Sequence, residues 1–202
     1  MTGKPRSQPA VASAVVRRRA DAVENRDRLL DAAEAVFLAE GIDAPLDAVA
    51  QRAGIGRATL FRHFADRHAL IAGLQQRTLA AIEAEALRAP GDPYALVRLL
   101  RFLAQHLVAR APLTEYWQAF DHDSAEFQAA QARFVAAFEP PVAWARAAGT
   151  CRPDFQAADV VLLAALLGGA LYARVPERRR ALAARAWQLV VEVAQLREPR
   201  AE

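Results

Sequence analysis

Apolar residues recur at helical spacing through most of the chain, and no stretch alternates apolar and polar as a half-buried strand would. From Asn25 to Glu40 the inner face is Leu29, Ala33, Val36 and Phe37, and Gly41 ends the run. Leu46, Val49 and Ala50 form one face of a short second helix. Pro45 suits its first helical position, because its φ is preset and its missing N–H is not needed there. Gly54 follows where the chain must stop and turn through positive φ. Ile55 re-enters the core, and Leu60 and Phe64, four residues apart, continue it on a third helix. Asp66 is a natural N-cap for a fourth helix that reaches about Arg88 through Leu70, Leu74, Leu79 and Ile82. Beyond the break Ala89-Pro90-Gly91-Asp92-Pro93, the period predicts helices at about 93–109, 112–121, 124–148, 156–174 and 177–196. Pro140 and Pro141 should kink or split the third of these. The predicted fold class is all-α.

Two short helices joined by a glycine turn have the spacing of a helix-turn-helix, whose second helix lies in the major groove of DNA. The outward positions on that stretch are Arg57, Thr59, Arg62 and His63. The run A-G-I-G-R-A-T-L-F-R-H-F-A-D-R-H-A-L resembles the signature of the tetracycline-repressor (TetR) family of bacterial transcription regulators, roughly A-G-V-S-x-G-T-L-Y-x-H-F-x-x-K-x-x-L. The preceding R-D-R-L-L-D-A-A-E-A-V-F-L-A-E-G-I is similar to the family's first helix, so the resemblance covers about residues 26–71. It implies a three-helix DNA-binding domain at 25–71, joined by a long connector helix to an effector-binding and dimerisation domain at 72–202. Residues 1–24, with Pro5, Pro9 and no amphipathic period before Asp21, are expected to form a disordered basic arm.

The resemblance implies that Arg57, Ala58, Thr59, Phe61, Arg62, His63 and Arg67 face a double-stranded DNA operator. His63 and Arg67 align with phosphate-contacting positions. Arg57, near the start of the helix, is the best-placed base reader, since arginine pairs bidentately with guanine. Gly56 stands where serine is frequent and Phe61 where tyrosine is usual, so two hydroxyls that could reach phosphates are missing. The family arrangement implies a homodimer on a near-palindromic site, most simply a repressor released by a small effector.

Nine of the fifteen aromatic residues fall between Tyr94 and Trp144, where the family places its effector cavity. The expected lining is Phe102, His106, Tyr116, Trp117, Phe120, Phe127, Phe134 and Trp144, which favours a mainly apolar small molecule. Ala165, Gly168, Gly169 and Tyr172 on one late helix, with Ala183, Trp187, Val190 and Ala194 on the next, are the expected dimer interface. Glycines in a helix interior are disfavoured, so close packing of a second helix is a sensible reason for them.

Charge changes the picture less than position does. The formal net charge is only +3, and residues 25–71 hold six arginines against seven acids. Residues 1–24 hold five basic side chains against two acids, with Arg17, Arg18 and Arg19 together just before the first helix. These could follow phosphates or enter a minor groove. Lys4 is the only lysine, so any single arginine is partly a compositional habit. One cysteine, Cys151, excludes an intrachain disulfide and fits a reducing cytoplasm. No secretory signal is expected at the N-terminus. The uncharged run Val160 to Ala173 is 14 residues long, too short to span a bilayer, so no membrane partner is expected. Asp121-His122-Asp123 reads as a polar loop rather than a metal site. No nucleophile–base pair, phosphate loop or metal spacing points to an enzyme, and no cofactor is expected. The alternative to a ligand-responsive repressor is a DNA-binding regulator controlled by a protein partner or by no ligand.

Overall fold

The helix stops written into the sequence set the architecture. In the computed structural model, residues 9–118, 124–169 and 175–199 are described, and every regular element among them is helical. In order these are α1 (Pro9–Glu40), α2 (Leu46–Ala53), α3 (Arg57–His63), α4 (Arg67–Ala86), α5 (Ala95–Ala109), α6 (Ala111–Gln118), α7 (Ala125–Ala148), α8 (Asp159–Gly168) and α9 (Pro176–Ala194). The chain divides into two compact units, Met1–Leu74 and Gln75–Glu202, and the division falls inside α4.

In the first unit, Leu29, Ala33, Val36 and Phe37 of α1 are buried together with Val49 and Ala50 of α2, Leu60 of α3, and Phe64, Leu70 and Ile71. Gly54 closes α2 in the left-handed conformation (φ 63°), and the Ile55 N–H donates to the Ala50 carbonyl at 3.0 Å. That turn would strain any residue with a Cβ. The Arg28 guanidinium donates to the Ala53 carbonyl at 2.7 Å, so α1 also ties down the end of α2. Asp66 caps α4 as expected, accepting from the Ala69 N–H at 2.7 Å.

Three expectations are corrected. The first helix starts at Pro9, not Asn25. Residues 10–24 hold no Gly or Pro and are rich in Ala and Arg. Extending a helix already nucleated needs good propensity, not an amphipathic stripe. Pro45 is the N-cap of α2, extended at ψ 137°, rather than its first helical residue. Finally, α7 is not split: Pro140 and Pro141 sit within it. Phe138, Pro141, Val142 and Ala145 are buried on one side, so packing holds the helix across the two missing N–H donors.

The second unit is built on α5, which packs against α7, α8 and α9. Leu96, Leu99, Leu100 and Leu103 meet Phe138, Val142, Val160, Leu163, Val190 and Ala194 in one core. The connection after α7 is fastened by backbone bonds: Arg152 N–H donates to the Ala194 carbonyl and Arg197 N–H to the Thr150 carbonyl, each at 2.9 Å. Buried Thr150 donates from its hydroxyl to the Pro93 carbonyl at 2.6 Å. Cys151 is buried in the same core, and that burial pushes its thiol pKa up. Arg98 bridges Asp92 and Glu85, and its hydrogen bond holds the Asp92 carboxyl below the usual range. No helix among the described residues is long and apolar enough to cross a membrane.

Gly73 on α4 lies where two other elements press closest. A Cβ there would meet Phe64 Cε1 at 2.9 Å and Leu30 Cδ2 at 3.1 Å. Both neighbours are buried, so their side chains would have to shift within the core. Alanine gains about 1 kcal/mol over glycine in a helix interior, and overpacking costs about 1–3 kcal/mol. Gly73→Ala is therefore expected to lower the urea midpoint despite its better helix propensity. An unchanged or raised midpoint would mean that this contact has slack.

Candidate nucleic-acid interface

The second and third helices are short because each end is fixed locally. Gly56 begins α3 in an extended conformation, without a side-chain cap, and the Thr59 N–H donates to its carbonyl at 2.9 Å. Phe64 ends α3 (φ −138°) and buries its ring, and the Arg26 guanidinium lies 4.5 Å from the ring centroid. Leu60 is fully buried, so the residues around it on α3 are turned outward or half outward.

Arg57, Ala58, Phe61 and Arg62 are exposed on α3. Arg57 and Phe61 are one turn apart, with the guanidinium carbon 5.4 Å from the ring centroid. Arg57 Nη1 also donates to Asp47 Oδ2 of α2 at 2.7 Å. Asp47 is the residue that reading the sequence missed. It lies ten positions away on another helix, and no local pattern pairs it with Arg57.

The other residues expected to face DNA are less exposed. Thr59 is only half-exposed. His63 is half-buried, with Nε2 enclosed and lacking a hydrogen-bond partner among the described residues. Burial, then Arg62 and Arg26, lower its pKa below the ordinary 6.5, so it is mainly neutral at pH 7. A neutral imidazole can hydrogen-bond a phosphate but contributes no charge to it.

Arg67 does not point its fork outward as a phosphate contact would. It is half-buried and donates to the carbonyls of Ile42 and, at 3.3 Å, Asp43, with its guanidinium carbon 5.6 Å from the Phe37 ring centroid. It ties the first residue of α4 to the loop entering α2.

Residues 29–74 match the profile described as "Bacterial regulatory proteins, tetR family". They hold the helix-turn-helix in the geometry just described. Residues 29–74 are thus a TetR-family helix-turn-helix domain. Its helix-turn-helix is the family's DNA-binding element. It is similar to the uncharacterized HTH-type transcriptional regulator TtgW of Pseudomonas putida, 48% identical over 46 residues, which are 22% of this chain and 34% of TtgW. That match spans about a third of the curated relative's length. The crystal structure of a TetR transcription regulatory protein from Mycobacterium vanbaalenii is 28% identical, covering 87% of this chain and 98% of that one, with a TM-score of 0.65. SmeT, described as the repressor of the Stenotrophomonas maltophilia multidrug efflux pump SmeDEF, shares the fold. Its triclosan complex is 20% identical over 89% of this chain and all of that one, with a TM-score of 0.60.

The expectations for the C-terminal unit fare unevenly. Phe102 and His106 lie together, ring centroids 4.1 Å apart, and Phe102 and Phe134 pack against the core. Tyr116 is half-buried on α6. Phe127 and Trp144 are both on α7, 17 residues apart, or about 25 Å along a helix, too far to line one small-molecule cavity. The side chain of Trp117, together with Phe120, Tyr172 and the Asp121-His122-Asp123 run, lies outside the described residues.

The residues expected at a dimer face are distributed between the core and the surface. Val190 and Ala194 are fully buried in the subunit's own core, and Gly168 is buried too. Trp187 packs against that core with Arg101 over its ring, and Ala183 is half-buried. Of the named residues, Ala165 and Gly169 are exposed.

Arg67→Ala removes a charged donor from two carbonyls. Hydrogen bonds involving a charged group contribute about 1.5–3 kcal/mol, so unfolding in urea should show a loss of about 1–3 kcal/mol. Arg67→Lys, with one donor head in place of a fork, should recover part of it. Full stability in Arg67→Ala would remove the clamp.

Proposed function

We propose that this chain is a homodimeric transcriptional repressor that binds a near-palindromic operator and is released by a small, mainly apolar effector. The observation that carries the DNA-binding part is α3, a seven-residue helix with Arg57, Ala58, Phe61 and Arg62 exposed beside a buried Leu60. Such a helix fits a major groove, and a dimer would present two of them one helical turn of DNA apart. SmeT, a repressor of the same fold that is known with triclosan bound, supports release by an apolar aromatic molecule. The Phe102–His106 pair is the first place to test for such a ligand. An effector must bind the two conformations unequally to shift them, and α4 is the helix through which such a shift would reach Arg67.

The face proposed for the second copy is the exposed apolar one: Leu162 and Leu166 on α8, with Leu182 and Val193 on α9. Leu162 alone is 71% exposed, a poor position for leucine in a free subunit. Leu162→Asp together with Leu166→Asp should turn a sedimenting dimer into monomer and weaken operator binding without touching α3. A dimer that survives the double substitution would put the interface elsewhere.

The DNA-binding reading is tested by selecting duplexes from a random-sequence library and measuring affinity for the selected site against salt. With Arg57 paired to Asp47, His63 neutral and Arg67 turned inward, each reading head should neutralise about one or two phosphates. Log K against log salt should then slope at about −2 to −4 for the dimer. Selection of no sequence would overturn the reading. A slope near −6 would bring in further cations, such as Arg52 on α2 or Arg17, Arg18 and Arg19.

A further inference from the structure

We infer that Asp47 is a specificity-determining residue: by holding the guanidinium of Arg57 it sets how that arginine meets a base, and it lowers the general affinity of the reading head for DNA. The inference rests on the proposed role of Arg57 as base reader. A carboxylate is an odd neighbour for a surface meant to approach phosphates. Asp47 lies on the first turn of α2 and Arg57 at the first position of α3, both well exposed, with side-chain exposures of 60% and 67%. Their ion pair is 2.7 Å long. Phe61 lies beside the same guanidinium, 5.4 Å from its carbon, and is itself exposed.

Arginine has many rotamers, and reading guanine bidentately requires freezing them with two N–H groups aimed in one plane. Asp47 takes one edge of the fork, through Nη1, and the Phe61 ring limits its tilt. The remaining donors stay available to a base. Preorganisation of this kind improves discrimination without adding a contact. The same carboxylate cancels the arginine's charge toward the polyanion, which weakens attachment to every sequence alike. Two opposite effects therefore follow from a single residue.

The test uses the full chain with Asp47→Asn, which keeps the side chain's shape, and Asp47→Ala. Each variant is put through library selection, and each is titrated with a fixed mixed-sequence duplex as the non-specific probe. At the base pair whose preference Arg57→Ala removes, both variants should lose discrimination by about three- to tenfold. Their affinity for the mixed-sequence duplex should rise. Asp47→Ala in an Arg57→Ala background should flatten the preference no further. A residue that only steadied α2 would lower binding to both DNAs together, and that result would overturn the inference. So would full retention of the base preference in both variants. If the wild-type chain selects no sequence, the DNA-binding proposal falls and takes this one with it. If the wild type selects a site and Asp47→Asn reads it equally well, only the present inference falls.

Discussion

The reading head depends on one close approach: α4 meets α1 and the end of α3 at Gly73, where Leu30 and Phe64 leave no space for a Cβ. Phe64 is both the residue that stops α3 and the ring against which α4 rests. Side chains that fill the space over Gly73 tie α4 to these two elements, because cores rearrange between discrete packings rather than deforming smoothly. Arg67, one and a half turns earlier on α4, adds a polar tie to the carbonyls before α2. The first eight residues of α4 therefore belong to the DNA-binding unit in packing as well as in sequence.

The parts of this fold that were legible in the sequence are those governed by period and by local backbone geometry. Leu29, Val36, Phe37, Leu60 and Phe64 fell inside because apolar residues at helical spacing have only one face to bury. Gly54 and Asp66 ended and began helices where their local chemistry requires it. The extension of α1 back to Pro9 was hidden because a helix without an apolar stripe leaves no periodic trace. The α8 run misled for a related reason. It is apolar all round, so nothing in it distinguishes Leu163 and Leu167, which face the subunit's own core, from Leu162 and Leu166, which do not. Val190 and Ala194 lie buried in the core, and a stripe of small and branched residues looks the same whichever helix covers it.

The site itself was half legible. Motif resemblance located α3 and its exposed residues, but a motif is silent about which side chains hold one another. Arg57 and Arg67 illustrate this. Both were expected to spend their charge on DNA. One is shared with Asp47 across ten residues, and the other is turned to carbonyls 25 residues away. A head whose residues 25–71 carry more acids than bases is poorly suited to clinging to any duplex. It is better suited to remaining only where the bases match, since non-specific attachment is almost wholly electrostatic.

The buried sulfur of Cys151 has a consequence of a practical kind. Its thiol is enclosed in the C-terminal core and raised in pKa by that burial, so little reactive thiolate is presented to solvent. The native chain thus serves as a nearly silent background for thiol-directed labels. A cysteine introduced at an exposed position such as Ala65 would carry the only readily labelled thiol in the chain. A spin or fluorescent probe placed this way would report on the helix-turn-helix directly, in solution, with and without DNA.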